Sequence, residues 1–101
     1  MSTALSRSLL RHSQPLVAIS IAHLSGPTRE RLAEGRLSVV AYPDDDGGFV
    51  HVAAEGTAPD EPELAAIFRI AQPAGVVWIK FDADAPSVDG LPTFDGGEGA
   101  P

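Results

Sequence analysis

The chain has 101 residues, 44% of them hydrophobic, a formal net charge of −7 and no cysteine. That length supports one core and one domain, since a second core needs about another hundred residues. The missing thiols exclude disulfides, thiolate metal sites and cysteine nucleophiles. No apolar run approaches the ~20 residues of a membrane span, and the first residues lack the pattern of a cleaved leader. A soluble, cytoplasmic protein is therefore expected. The charge is polarised: residues 1–36 carry five arginines against two glutamates, whereas residues 37–101 carry only Arg69 and Lys80 against twelve acids. Such a balance disfavours direct nucleic-acid binding through phosphates and fits a basic protein surface better.

In chain order, residues 1–14 read as a short helix or a mobile arm, with Leu5 and Leu9 four apart. After Pro15, residues 16–23 alternate Val17, Ile19 and Ile21 with Ala18, Ser20 and Ala22, the pattern of a first strand. Leu24-Ser25-Gly26-Pro27 is a turn, and Pro27 opens a short helix to about Glu34 that Gly35 ends. Residues 37–42 and 49–53 predict two strands joined by Pro43-Asp44-Asp45-Asp46-Gly47-Gly48, whose glycine steps supply the positive φ of a tight reversal. Asp60 and Glu63 have capping-box spacing, and Leu64, Ile67, Phe68 and Ala71 then follow at helical period. Gly75 to Asp84, with the sole Trp and the sole Lys, predicts the last strand. The single α+β domain thus spans 15–84, followed by an acidic Gly/Pro-rich tail over 85–101 that packs up to about residue 95.

The order β-α-β-β-α-β predicts a ferredoxin-like four-stranded antiparallel sheet with two helices on one face. Beneath the helices the alternation places Val17, Ile19, Ile21, Val39, Val50, Val52, Val77, Ile79 and Phe81, met by Leu64, Ile67 and Phe68. The opposite parity gathers Ser20, Val40, Tyr42, Phe49, His51, Trp78 and Lys80 on the far face. An aromatic patch of this kind suits a homodimer contact or a protein docking surface. A stacking platform for single-stranded nucleic acid needs more cations than Lys80 alone. Leu91 and Phe94 of the tail could instead fold back over Trp78.

Asp82-Ala83-Asp84 at a strand end resembles the nucleophile motif of haloacid-dehalogenase phosphatases, and paired carboxylates there can hold Mg²⁺. Such an enzyme needs a doubly wound domain after the motif, and only 17 residues follow Asp84. The acidic turn Asp44-Asp45-Asp46 lacks EF-hand spacing. His12, His23 and His51 form no zinc or catalytic-triad pattern, although His23 and His51 could approach each other across the strands. No enzyme activity and no cofactor are expected.

Taken together, Ile19-Ser20-Ile21-Ala22-His23-Leu24, the block Trp78 to Asp84 and Leu91-Pro92-Thr93-Phe94-Asp95 resemble an uncharacterised bacterial family of short proteins carried on plasmids, integrative elements and phages. In that family a Gly follows the Asp-x-Asp pair, where this chain has Ala85. The resemblance implies no activity; it suggests a setting in which small acidic proteins block a host defence complex. The expected function is therefore that of a non-enzymatic binding protein, a DNA-mimic-like inhibitor of the anti-CRISPR or anti-restriction type. Its carboxylates Asp44, Asp45, Asp46, Asp82, Asp84, Asp89 and Asp95 would occupy a basic groove, beside the ring face of Tyr42, Phe49, His51, Trp78 and Lys80. The alternatives are a self-associating module built on the aromatic face and a small metal-dependent enzyme using Asp82 and Asp84.

Overall fold

The structure, a computed structural model, describes residues 15–94. The expectations for residues 1–14, for Asp95 and for the Gly-rich end lie outside those residues. The described chain runs β1 (Leu16–Ser20), a single 3-10 turn (Ile21–His23), α1 (Gly26–Ala33), β2 (Ala41–Asp44), β3 (Gly47–His51), α2 (Pro62–Ala71) and β4 (Trp78–Asp82).

Local chemistry sets the boundaries. β1 stops three residues short of His23 because the Ser20 hydroxyl accepts the Ala22 N–H at 3.0 Å and winds the chain into the 3-10 turn. α1 has Pro27 in its first turn and ends at Gly35, whose φ is 70°. There the Arg36 N–H reaches the Arg31 carbonyl at 2.7 Å and the Gly35 N–H reaches that of Leu32 at 3.1 Å, a Schellman pair. The predicted capping box of α2 does not form: the N-cap is Glu61, and Glu63 turns away to accept the N–H and hydroxyl of Ser25 at 2.8 and 2.7 Å. β2 begins at Ala41, not at Leu37, because Ser38 is drawn out of strand geometry to Glu61, its hydroxyl 2.6 Å from Glu61 Oε1.

The hairpin turn also differs from expectation. Asp45 and Asp46 form it without positive φ, and the Asp44 carboxylate accepts the Asp46 N–H at 2.9 Å. The positive φ angles fall within β3, at Gly47 (148°) and Gly48 (157°). There a Cβ on Gly47 would strike the Phe81 carbonyl, and one on Gly48 would lie 2.8 Å from the Tyr42 carbonyl and 3.0 Å from Leu32 Cδ1. These glycines admit close neighbours to the strand.

The sheet has the order β1-β4-β3-β2 and is mixed. β1 runs parallel to β4, whereas β3 is antiparallel to both β4 and β2. The purely antiparallel, ferredoxin-like arrangement is thereby corrected, and the connection between β3 and β4 explains why. The Gln72 side-chain amide at the end of α2 donates to the carbonyls of Ala53, Ala54 and Thr57 at 2.9–3.0 Å. Near the start of α2, the Asp60 N–H donates to the Ser38 hydroxyl at 2.8 Å. The segment from Ala54 to Asp60 thus runs back along α2 before the helix begins, so the helix returns the chain to its starting end. β4 then enters beside β3 in the opposite sense and lies parallel to β1.

Ile19, Val50, Ile79 and Phe81 of the sheet join Leu32 of α1 and Leu64, Ile67, Phe68 and Ala71 of α2 in one core, so both helices cover the same face. Leu24, buried after the 3-10 turn, and Leu32 are core members that strand alternation does not reveal. Val17, expected in the core, is exposed because β1 is an edge strand, and Ile21, Val39 and Val77 are only half-buried. At about 1.5–3 kcal/mol for each large buried side chain, this cluster is the main opponent of chain entropy.

Candidate functional site

On the sheet face away from the helices, strand register assembles the aromatic group. His51 pairs with Trp78, Phe49 with Lys80 and Tyr42 with Phe49. The His51 ring meets Trp78 edge-on with centroids 5.0 Å apart, and Tyr42 lies 6.0 Å from Trp78 at a 35° tilt. The Lys80 ammonium stands 5.5 Å from the Phe49 ring centre. Tyr42 is 59% exposed and Val40 is exposed as well. Ser20, assigned to this face, is buried and spends its hydroxyl on the turn. Leu91 and Phe94 do not cover Trp78: Leu91 packs against the core on the helix side, and the Phe94 N–H bonds the Ala22 carbonyl at 2.7 Å.

The carboxylates converge at one end of this sheet. Asp44 pairs with Gly47, Gly47 pairs with Asp82, and the Ala83 N–H donates to the Asp46 carbonyl at 3.0 Å. Hence Asp44, Asp45, Asp46, Asp82 and Asp84 share one edge. Lys80 lies among them, 2.9 Å from Asp44 Oδ2 and 3.4 Å from Asp82 Oδ2. Partial burial opposes the Lys80 charge, but Asp44 and Asp82 outweigh it and hold the ammonium above its ordinary value. The same lysine keeps the Asp44 carboxyl below its own. The remaining Asp82 oxygen accepts the Asp84 N–H at 2.7 Å. Among the described residues no group of three or more His, Asp or Glu is arranged to hold a metal ion. Asp45, Asp46 and Asp84 are exposed, as is Asp89 in the tail.

A second assembly went unread in the sequence. His23 is only 1% exposed, and both ring nitrogens face the tail. The Val88 N–H can only donate, so Nε2 accepts it at 2.9 Å, and the proton on Nδ1 goes to the Pro92 carbonyl at 2.8 Å. The guanidinium of Arg29 joins the Leu24 carbonyl (2.8 Å) to that of Phe94 (2.9 Å). His23 and His51 stand at opposite ends of β4, since Ser20 pairs with Asp82 and His51 with Trp78. Two of the three blocks that carry the family resemblance are therefore one structural unit, joined through His23.

Glu61 and Glu63 line a cleft of about 580 Å³ with Ser25, Thr28, Arg31 and Phe94. Burial would raise the Glu61 carboxyl, but hydrogen bonds from the Ser38 hydroxyl, from the Glu61 and Ser38 amides and from Arg31 outweigh it and set it below the ordinary range. For Glu63, burial is likewise outweighed, here by Thr28 and by the amide and hydroxyl of Ser25. Helix-start acids usually face solvent, and no spacing in the sequence marks Glu61 as buried or Glu63 as half-buried.

Fold and surface define a small mixed α+β domain with a ring-bearing sheet face and an acidic edge. Residues 16–96 match the model of a family of unknown function, the DUF5983 C-terminal domain, and the chain belongs to that family. No curated protein and no solved structure matches the chain. No helix among the described residues is long and apolar enough to cross a membrane.

Proposed function

We propose that this domain is a non-enzymatic binding protein that docks on a basic protein surface through the acidic edge and the adjoining ring face. The observation that carries this reading is the gathering of Asp44, Asp45, Asp46, Asp82 and Asp84 on one edge, where Lys80 neutralises only Asp44 and Asp82. Opposed charges steer association and fix register, and Tyr42 and Trp78 add contact area at low cost in side-chain entropy. The resemblance to short bacterial proteins of plasmids, integrative elements and phages points further, to a nucleic-acid-handling defence complex whose basic groove is occupied in place of DNA. The protein acts in the cytoplasm on this reading.

The test presents the intact protein and an Asp45→Asn/Asp46→Asn/Asp84→Asn variant to a bacterial lysate at about 0.1 M and 0.5 M salt, spanning a fall in screening length from about 10 Å to a few ångströms. Basic proteins should be retained by the wild type at low salt, released at high salt and by excess duplex DNA, and missed by the variant. Equal retention by the variant, or indifference to salt, would sink the proposal. The second reading is self-association, favoured by the exposure of Tyr42 on a face that Leu91 and Phe94 leave uncovered. It requires a dimer on size-exclusion chromatography that dissociates in a Tyr42→Ala/Trp78→Ala variant.

A further inference from the structure

The segment from Pro86 to Phe94 is held at both ends and in the middle by the region that follows β1. The Ser20 N–H donates to the Pro86 carbonyl at 3.0 Å, His23 takes Val88 and Pro92, and Arg29 and Ala22 take the two backbone groups of Phe94. So anchored, the segment makes Val88 and Leu91 one wall of an apolar groove of about 180 Å³ that Val17, Ile19, Ile67 and Ile70 also line. It is a strap across the open side of the core.

We propose that His23 is a proton-operated latch for this strap. In the closed state Nε2 must be bare, because it faces the Val88 N–H, a group that only donates. A proton on Nε2 sets two donors against each other within hydrogen-bond distance, inside a site from which water is excluded, and the middle of the strap lifts. The sign follows: the closed state excludes that proton, so the latch holds at neutral and alkaline pH and weakens as pH falls. The charged groups on the elements around His23 are already engaged or lie along the strap. Arg29 of α1 ends on Leu24 and Phe94, Glu63 of α2 on Ser25, Asp82 of β4 on Lys80, and Asp84 and Asp89 belong to the chain leading into or along the strap. None of them hydrogen-bonds the imidazole, whose two partners are neutral backbone groups.

Amide hydrogen exchange on the intact protein tests this, with rates corrected for the intrinsic effect of pH. Between about pH 7.5 and pH 5, a span chosen for imidazole titration, the Val88 and Leu91 amides should lose at least about tenfold in protection while the β3 and β4 amides keep theirs. His23→Gln supplies a fixed donor and acceptor, so its strap should hold equally at both pH values; Asp89→Asn should respond to acid as the wild type does. Unchanged Val88 protection in the wild type, the same acid loss in His23→Gln, or loss of the response in Asp89→Asn overturns the latch. So does simultaneous loss across β3 and β4, which marks general unfolding. If His23→Gln does not close at neutral pH, imidazole NMR of the wild type decides: the Val88 amide shift must follow the His23 titration and not that of His51.

Discussion

At the residue scale, Glu61 ties α1 and the segment before β2 to the start of α2. Its carboxylate receives the Ser38 N–H and hydroxyl and the Arg31 guanidinium, while its own side chain is nearly sealed from water. Glu61→Ala leaves those donors without an acceptor, and urea unfolding should show a loss of about 1–3 kcal/mol at neutral pH. Because the Glu61 and Glu63 carboxyls are lowered in the folded state, the stability they add is complete above the unfolded glutamate value, about 4.3, and is lost as pH falls through the folded value. Melting followed from neutral pH into acid should therefore show a steeper decline for the wild type than for a Glu61→Gln/Glu63→Gln variant, which starts lower and changes less. Neither role was legible in the sequence: Arg31 and Ser38 lie 30 and 23 residues from Glu61, and no local spacing links them. His23 was visible only as part of a motif, since its partners Val88 and Pro92 follow 65 and 69 residues later.

At the scale of elements, hydrophobic period located both helices and all four strands, and strand parity placed Tyr42, Phe49, His51, Trp78 and Lys80 on one face. Pairing direction was not legible, because the path of residues 52–61 decides it and that path has no repeating pattern. Gln72 fixes it, bonding three carbonyls of this segment. Gln72→Ala should lower stability by about 1–3 kcal/mol in urea unfolding and free the 53–57 amides to exchange before the β3–β4 ladder opens. The Asp-Gly and Gly-Gly steps predict turn glycines, but within β3 Gly47 and Gly48 make room for close packing. Gly47→Ala forces a methyl group into the Phe81 carbonyl at an unfavourable φ. A loss of about 1–3 kcal/mol is expected, read as a lower thermal midpoint, whereas Gly56→Ala, with open space around it, should cost less.

For the whole molecule, the sequence conveyed the polarity of charge but not where it gathers; the hairpin and the end of β4 had to be paired before five carboxylates became one edge. Through Phe94 the tail is hydrogen-bonded to the body of the domain. Ending the chain after Asp84 should therefore lower the thermal midpoint by several degrees, since about 1 kcal/mol corresponds to roughly 4–8 °C in a domain of this size, and should raise the binding of an apolar dye to the uncovered groove. The arrangement of β1 has a further consequence during synthesis. Among the described residues its sole strand partner is β4, so within this domain the first of the four strands to be synthesised must wait for the last. Folding cannot proceed outward from the N-terminus. A nascent chain arrested before Trp78 holds β1 as an unmated edge, exposed to chaperones or to neighbouring chains, and the domain closes only when β4 has emerged.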